Sequence, residues 1–269
     1  MDLGLEGRAC VVTGASRGIG LAAAQRLCGE GARVVLVGRS AERLEEALGR
    51  CLAAGGPAEV LVLDVTEPDA GERMVAAASE PFGGLDVLVN NAGTASRRAL
   101  QDVPDDDWDA AWELNVMAPM RAMRAAIPAM AERGWGRVVN VCSSAAKRPS
   151  GQMPEYSVAK AAELSLSRLF ADEYAKHGVL VNAICPGPVK SELWMEPGGL
   201  LDQTAGLSGH DSREAALEAA GSGRPIGRLA EVSEIADAIV FLCSERASYV
   251  AGAAWSVDGG SVPVIIESR

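Results

Sequence analysis

What this sequence has little of narrows its chemistry first. Histidine occurs only at His177 and His210, far apart in the chain, and no Cys/His cluster has the spacing of a zinc site. The six cysteines (Cys10, Cys28, Cys51, Cys142, Cys185 and Cys243) are scattered, form no C-x-x-C pair, and mostly sit in apolar runs. There a cysteine acts as a small buried hydrophobe, so a reduced protein is expected in place of a disulfide scaffold. Basic residues number 25 against 36 acidic ones, a formal charge of −11. That balance speaks against nucleic-acid or anionic-membrane partners, which call for a basic face, although a locally basic pocket for a phosphate is compatible with it. No run of about 18 apolar residues is available to span a bilayer. The opening Met1-Asp2-Leu3-Gly4-Leu5-Glu6 lacks the basic region and apolar stretch of a signal peptide, so a soluble, cytoplasmic protein is expected.

What is present is a rhythm. Short apolar, β-branched runs at Ala9–Thr13, Arg33–Val37, Glu59–Leu63, Leu85–Asn90, Arg137–Cys142, Leu180–Ile184 and Ala254–Val257 read as strands. Helical patterns at Gly18–Gly29, Ala41–Ala54, Pro68–Ser79, Asp106–Glu132, Glu155–Lys176 and Val232–Leu242 lie between them. Strands separated by helix-length segments predict β-α-β crossovers, and hence a doubly wound parallel sheet with helices on both faces. The chain of 269 residues is 48% hydrophobic, enough for one sizeable core, and no linker or repeat divides it. Only 192–224 breaks the rhythm. It carries six glycines around a weak helical segment at Ser212–Ala220, and a glycine-rich excursion of this length is read as a substrate lid.

Two places carry cofactor chemistry. The first strand runs into Thr13-Gly14-Ala15-Ser16-Arg17-Gly18-Ile19-Gly20 and then a helix. Glycines at such a turn let the backbone approach a pyrophosphate, whose charge the helix N-terminus favours. The spacing is G-x-x-x-G-x-G, not the general G-x-G-x-x-G. At the end of the second strand, where an acidic residue would bind the ribose hydroxyl of NAD, the chain reads Gly38-Arg39-Ser40. A guanidinium there suits a 2′-phosphate, with Arg17 as a second cation, so NADP(H) is expected ahead of NAD(H). The alternative is that both arginines are solvated surface residues. Asp105, Asp106, Asp107 and Asp109 resemble a metal cluster, but their place at a helix start is explained by capping and the helix dipole, and no metal is expected.

The glycine turn, Asn90-Asn91-Ala92-Gly93 and Tyr156-Ser157-Val158-Ala159-Lys160 together resemble the classical short-chain dehydrogenase/reductase family. Asp64-Val65, Asn115, Ser143 thirteen residues before Tyr156, Val181-Asn182-Ala183-Ile184-Cys185-Pro186-Gly187 and Val257-Asp258-Gly259-Gly260 extend the likeness nearly end to end. The resemblance implies a single Rossmann-type domain over residues 1–269, built on a seven-stranded parallel sheet. It implies that Gly14, Ser16, Arg17, Gly18, Ile19 and Gly20 hold the cofactor's phosphates and ribose, that Asp64 and Val65 border its adenine, and that Asn91, Ala92 and Gly93 line the nicotinamide. Pro186, Gly187, Val189 and Ser191 would cover the carboxamide end. Asn115, Ser143, Tyr156 and Lys160 would form the catalytic set, with Tyr156 and Lys160 also touching the cofactor.

Tyr156 and Lys160 are four apart on a predicted helix and so share a face. A free tyrosine has a pKa of about 10, and a nearby ammonium together with an oxidised nicotinamide would lower it. The phenol would then protonate a carbonyl oxygen as hydride arrives at its carbon, while Ser143 stabilises the developing charge. Asn115 would support a water linking to Lys160. The expected reaction interconverts a ketone and a secondary alcohol, with a 3-oxoacyl-type substrate implied by the resemblance alone. An NAD-linked alcohol dehydrogenase, or a sensor or scaffold that binds a dinucleotide without turnover, are the competing readings. Leu193, Trp194 and Met195 would give the lid an apolar face, and Lys147 and Arg148 would suit an anionic or polar substrate end. The family's habit implies a homo-oligomer, a tetramer or dimer, formed through the two long helices carrying Met117, Met120, Met123, Leu166, Leu169 and Phe170.

Overall fold

In the computed structural model, which describes residues 2–210 and 212–263, one sheet organises the molecule. Seven strands, β1 (Ala9–Thr13), β2 (Arg33–Gly38), β3 (Ala58–Val62), β4 (Val87–Asn90), β5 (Gly136–Val141), β6 (Val179–Pro186) and β7 (Ala254–Val257), pair in the order 3-2-1-4-5-6-7. Every pairing is parallel. Alternation of side chains across the central strands feeds two cores. Cys10, Val12, Val34 and Leu36 point to one face and pack under α1 (Gly18–Gly29), α2 (Ala41–Ala54) and α10 (Val232–Cys243). Val11, Val35 and Val37 point to the other, under α3 (Ala70–Phe82), α5 (Ala118–Glu132) and α6 (Pro154–Tyr174). All six cysteines are buried and unpaired. Among the described residues no helix is long and apolar enough to cross a membrane.

Three departures from the sequence pattern have physical causes. The predicted helix over Asp106–Glu132 is α4 (Asp105–Trp112) and α5 joined by a π-helical turn, Glu113–Met117, that widens the ladder around Asn115. Widened turns of this kind are often found at functional sites. The start of α4 has Asp105, Asp106 and Asp107 in its first turn, where the dipole favours them, but its N-cap is Pro104, with no side-chain cap. The glycine-rich excursion is largely helical: α7 (Glu192–Met195), α8 (Leu200–Ser208) and α9 (Arg213–Ser222), the last capped by Ser212. Trp194, Leu200, Leu201, Ala216 and Leu229 give it a small core of its own, and Asp211 lies outside the described residues.

Asn182, from the Val-Asn-Ala-Ile-Cys-Pro-Gly stretch, has a structural task. Its fully buried amide donates to the Val250 carbonyl at 2.8 Å and accepts from the Ala253 N–H at 2.9 Å, fastening the approach to β7 onto β6. Asn182→Leu keeps the approximate shape and leaves a backbone donor and acceptor unpaired. A loss of about 2–4 kcal/mol is expected, read from the urea midpoint, because each orphaned group costs about 1–3 kcal/mol. An unchanged midpoint would rule out this role.

Candidate active site

The sheet order reverses between β1 and β4, and the two segments leaving these strands meet there. The Thr13 hydroxyl accepts from the N–H groups of Asn91 (2.9 Å) and Ala92 (3.0 Å), while the Asn91 amide donates to the Thr13 carbonyl at 2.9 Å. Gly14 and Gly18 adopt positive φ, +63° and +58°, which L side chains rarely adopt. At Gly20 an added Cβ would lie 2.4 Å from both the Asn91 amide nitrogen and the Gly14 carbonyl oxygen. Arg17 stands at the N-cap of α1 without a side-chain cap, so the helix's first N–H groups lack that partner. A cradle of backbone at an uncapped helix start fits a dinucleotide pyrophosphate.

The ribose end is cationic. Arg39 follows β2 with its side chain 81% exposed and 3.7 Å from the Asp64 carboxylate. Thr66 holds Asp64 in place through its N–H (3.0 Å) and hydroxyl (2.8 Å). Backbone donation from Thr66 and the Arg39 charge lower its pKa, against a smaller opposing effect of burial. Arg17 is committed elsewhere, to Glu196 of the lid at 2.6 Å. Arg43, in the first turn of α2, lies 3.9 Å from the same carboxylate and was not singled out from sequence, although it follows Arg39 by one helical turn.

The proposed catalytic side chains converge at the carboxyl ends of β4 and β5. Ser143 begins a 3₁₀ turn, Ser144–Ala146, its hydroxyl accepting from the Ala145 N–H at 3.1 Å. It also lies within hydrogen-bonding reach of the half-buried Tyr156 phenol. Lys160 Nζ stands 5.9 Å from the Tyr156 ring centre and donates to the Val141 carbonyl at 2.9 Å. The buried Asn115 amide donates to the Ala111 carbonyl, leaving Oδ1 without a partner. Over Gly93, a Cβ would find Asn115 Oδ1 at 3.4 Å and Lys160 Nζ at 3.8 Å, so both groups border one space. Val65 is buried beside α3. Pro186 ends β6, Gly187 packs against the Asp258 backbone, Val189 bridges to Ala230, and Ser191 stands at the N-cap of α7 without a side-chain cap bond. Lys147 turns away to β7, donating to the Ala254 carbonyl and to Ser256, so of the expected Lys147–Arg148 pair only Arg148 faces the cavity beside Ser144.

Sequence reasoning missed Glu163. One turn beyond Lys160, it pairs with that ammonium at 2.7 Å, and the two side chains are only 2% and 3% exposed. Burial, the largest single effect, would lower the Lys160 pKa, but Glu163 first, then Tyr156 and Cys142, together outweigh it and the ammonium is held above the ordinary lysine value. The Tyr156 phenol is pushed up, chiefly by burial and further by Glu163, against the opposing pull of Lys160 and Ser143. The lowered phenol expected from sequence is therefore not found in the protein alone: burial outweighs the pull of Lys160, and Glu163 adds a smaller push in the same upward direction. Its spacing, i+3 from a lysine on a helix, was the available signal, but such pairs are usually exposed.

The sequence model of a family described as enoyl-(acyl carrier protein) reductase matches residues 14–261. A short-chain reductase protein, NovJ, of Streptomyces niveus is 37% identical over 93% of this chain and 92% of its own. The 3-oxoacyl-[acyl-carrier-protein] reductase FabG of Escherichia coli is 34% identical over 96% of this chain and 98% of its own. Among solved structures, L-sorbose reductase from Gluconobacter frateurii, complexed with NADPH and L-sorbose, superposes with a TM-score of 0.91 at 37% identity, covering 98% of this chain and 100% of that one. With the glycine cradle, the Asn91 clamp and the Tyr156–Lys160 pair in one crevice, the chain belongs to the short-chain dehydrogenase/reductase family.

Proposed function

We propose that this protein is an NADP(H)-dependent oxidoreductase that interconverts a ketone and a secondary alcohol, with Tyr156 as its acid/base. One observation carries the reading: Ser143, after β5, meets Tyr156 and Lys160 at the carboxyl edge of the sheet, two strands from the glycine cradle that follows β1. Relatives named for reducing a 3-oxoacyl group and L-sorbose support the carbonyl chemistry. A bound NADPH would supply the hydride. Gly14, Ser16, Arg17, Gly18, Ile19 and Gly20 would hold its phosphates, Asp64 and Val65 its adenine side, and Asn91, Ala92, Gly93, Pro186, Gly187, Val189 and Ser191 its nicotinamide end.

Within that arrangement the Tyr156 phenol gives its proton to the carbonyl oxygen, and Ser143 donates a hydrogen bond as charge gathers there. Lys160 orients and recharges the phenol, and Asn115 Oδ1 accepts from a water placed between itself and Lys160. Glu163 is a positioning residue: it fixes Lys160 and, by offsetting its charge, keeps Tyr156 a phenol, the form that reduction needs. The helical lid of 192–224 closes over substrate. A cytoplasmic homo-oligomer fits the family. Its face on α4 and α6 would use the exposed Trp112, Val158 and Leu169, whereas Met123 is fully buried in the core and unavailable to a partner.

Three variants test this reading. Arg39→Asp replaces a cation with an anion at the ribose site, so NADPH binding is expected to weaken by about 2–4 kcal/mol while NADH is spared or improved. An unchanged ratio of kcat/KM for the two cofactors would count against a 2′-phosphate site. Tyr156→Phe keeps the ring and removes the proton donor; single-turnover NADPH oxidation should slow by roughly 10²–10⁴-fold. Cofactor affinity, followed by fluorescence titration, should stay within about threefold, since the phosphate contacts lie elsewhere. A wild-type rate in folded protein would remove Tyr156 from the mechanism.

The third, Glu163→Gln, is read in the pH profile. Alcohol oxidation needs the phenolate, so kcat/KM rises with pH through the Tyr156 pKa. The groups facing Glu163 are Lys160 and Tyr156 on its own helix, Cys142 after β5 and Cys185 on β6. Removing the carboxylate takes away the one negative charge that opposes Lys160 and the oxidised nicotinamide at the phenol, so the rising limb should move to lower pH by about one unit. A limb that stays in place, or moves up, would show that Glu163 does not set the phenol.

A further inference from the structure

The cavity of about 190 Å³ beside Ser144 is lined by Arg148, Gly223, Arg224, Ser261 and Val262. Its two arginines, Arg148 and Arg224, have no ion-pair partner among the described residues. Arg224, at the end of the lid, gives Nη1 to the Ala220 carbonyl, and its buried Nε has no partner. Arg97, in the loop that follows Gly93, is in the same condition: Nη1 goes to the Gln152 side chain, the guanidinium lies 5.6 Å from the Trp194 ring centre, and the buried Nε is unmatched. Neither Arg97, Arg148 nor Arg224 has a carboxylate within 4.0 Å among the described residues, Asp258 lying near Arg224 but beyond that reach. The neighbouring Arg213 and Arg228, by contrast, are paired with Asp202 and Glu234.

Two half-buried guanidiniums, each with an orphaned donor among the described residues, are costly to keep unless an anion joins them. Burial and the Arg224 charge both act against Arg97 as a cation, yet a guanidinium remains protonated in proteins. The location ties this charge to the chemistry. Ser144 adjoins Ser143, and Gln152, which holds Arg97, stands one turn ahead of Tyr156. In a chain of net charge −11, a cationic wall at this point is not a general surface property.

We propose that the substrate is a small oxo or hydroxy compound bearing an anionic group, a carboxylate or a phosphate, bound between Arg97 and Arg224 while its reacting carbon faces Tyr156. This rests on the oxidoreductase reading above and names the class of compound that the site takes. Arg148, on the exposed rim, adds to the field without closing on the ligand. Anion binding would also draw the lid, through Arg224, toward the loop that carries Arg97.

Matched pairs of compounds test this in the intact protein. NADPH oxidation is followed with acetoacetate against its methyl ester, and with dihydroxyacetone phosphate against dihydroxyacetone. At least one charged member should exceed its neutral partner by about 10–100-fold in kcat/KM, mostly through KM, and the pair that shows it tells carboxylate from phosphate. Arg224→Met and Arg97→Met, on separate elements, should each collapse that ratio toward one, and Arg224→Lys should keep part of it. Equal values for both members of both pairs, or a ratio that survives both Met variants, would overturn the proposal while leaving the oxidoreductase reading intact. If none of the four compounds consumes NADPH, calorimetric titration of acetoacetate and dihydroxyacetone phosphate into the NADP⁺ complex decides. Saturable binding lost in Arg224→Met supports the anion site even if the redox reading fails, and absence of binding by both compounds overturns it.

Discussion

The junction of β1 and β4 is the constraint on which the rest of this molecule depends. On either side of it the crossovers run in opposite directions along the sheet, so a crevice opens at the carboxyl ends and no helix fills it. That opening holds its shape because one hydroxyl, Thr13, accepts from two successive backbone N–H groups, while one amide, Asn91, reaches back to the glycine turn. The same amide lies where a Cβ on Gly20 would go. The glycine turn and the loop after β4 are thus one hydrogen-bonded unit.

The second organising feature is the buried ion pair of Lys160 and Glu163. Removing two charges from water is expensive, and their attraction offsets that cost only with short geometry and further hydrogen bonds. Here both conditions hold: a 2.7 Å contact, and a third partner in the Val141 carbonyl at the end of β5. The arrangement makes Lys160 a fixed point between sheet and helix, from which Tyr156 is held one turn away. It also tempers the charge around the phenol: the carboxylate opposes part of the pull that the lysine exerts, while burial holds the phenol up.

Much of this was legible in the sequence, for identifiable reasons. β1, β7, α1 and α2 were read with their observed bounds because each is punctuated by glycine, a cap or a change of period, as at Ser40 and Gly55 around α2. The doubly wound parallel sheet followed from alternation, and the seven-stranded Rossmann-type domain from the family resemblance. Less legible were features made by contacts distant in sequence. Nothing local marks Asn115 as the centre of a π turn, or Lys147 as a partner of β7. Glycines suggested an open excursion at 192–224, yet Trp194, Leu200 and Leu201 close a small core that only their three-dimensional meeting creates. Glu163 and Arg97 were overlooked for a related reason. A carboxylate on a helix and an arginine in a loop are ordinary until burial and missing partners give them meaning.

These features divide the crevice electrostatically. At the ribose end Arg39 is exposed and turned outward, while Arg17 and Arg43 share a lid carboxylate, Glu196. At the far end Arg97 and Arg224 lack such a carboxylate among the described residues, and Arg224 belongs to the 192–224 segment as well. One segment therefore supplies an anion to the cofactor side and a cation to the other.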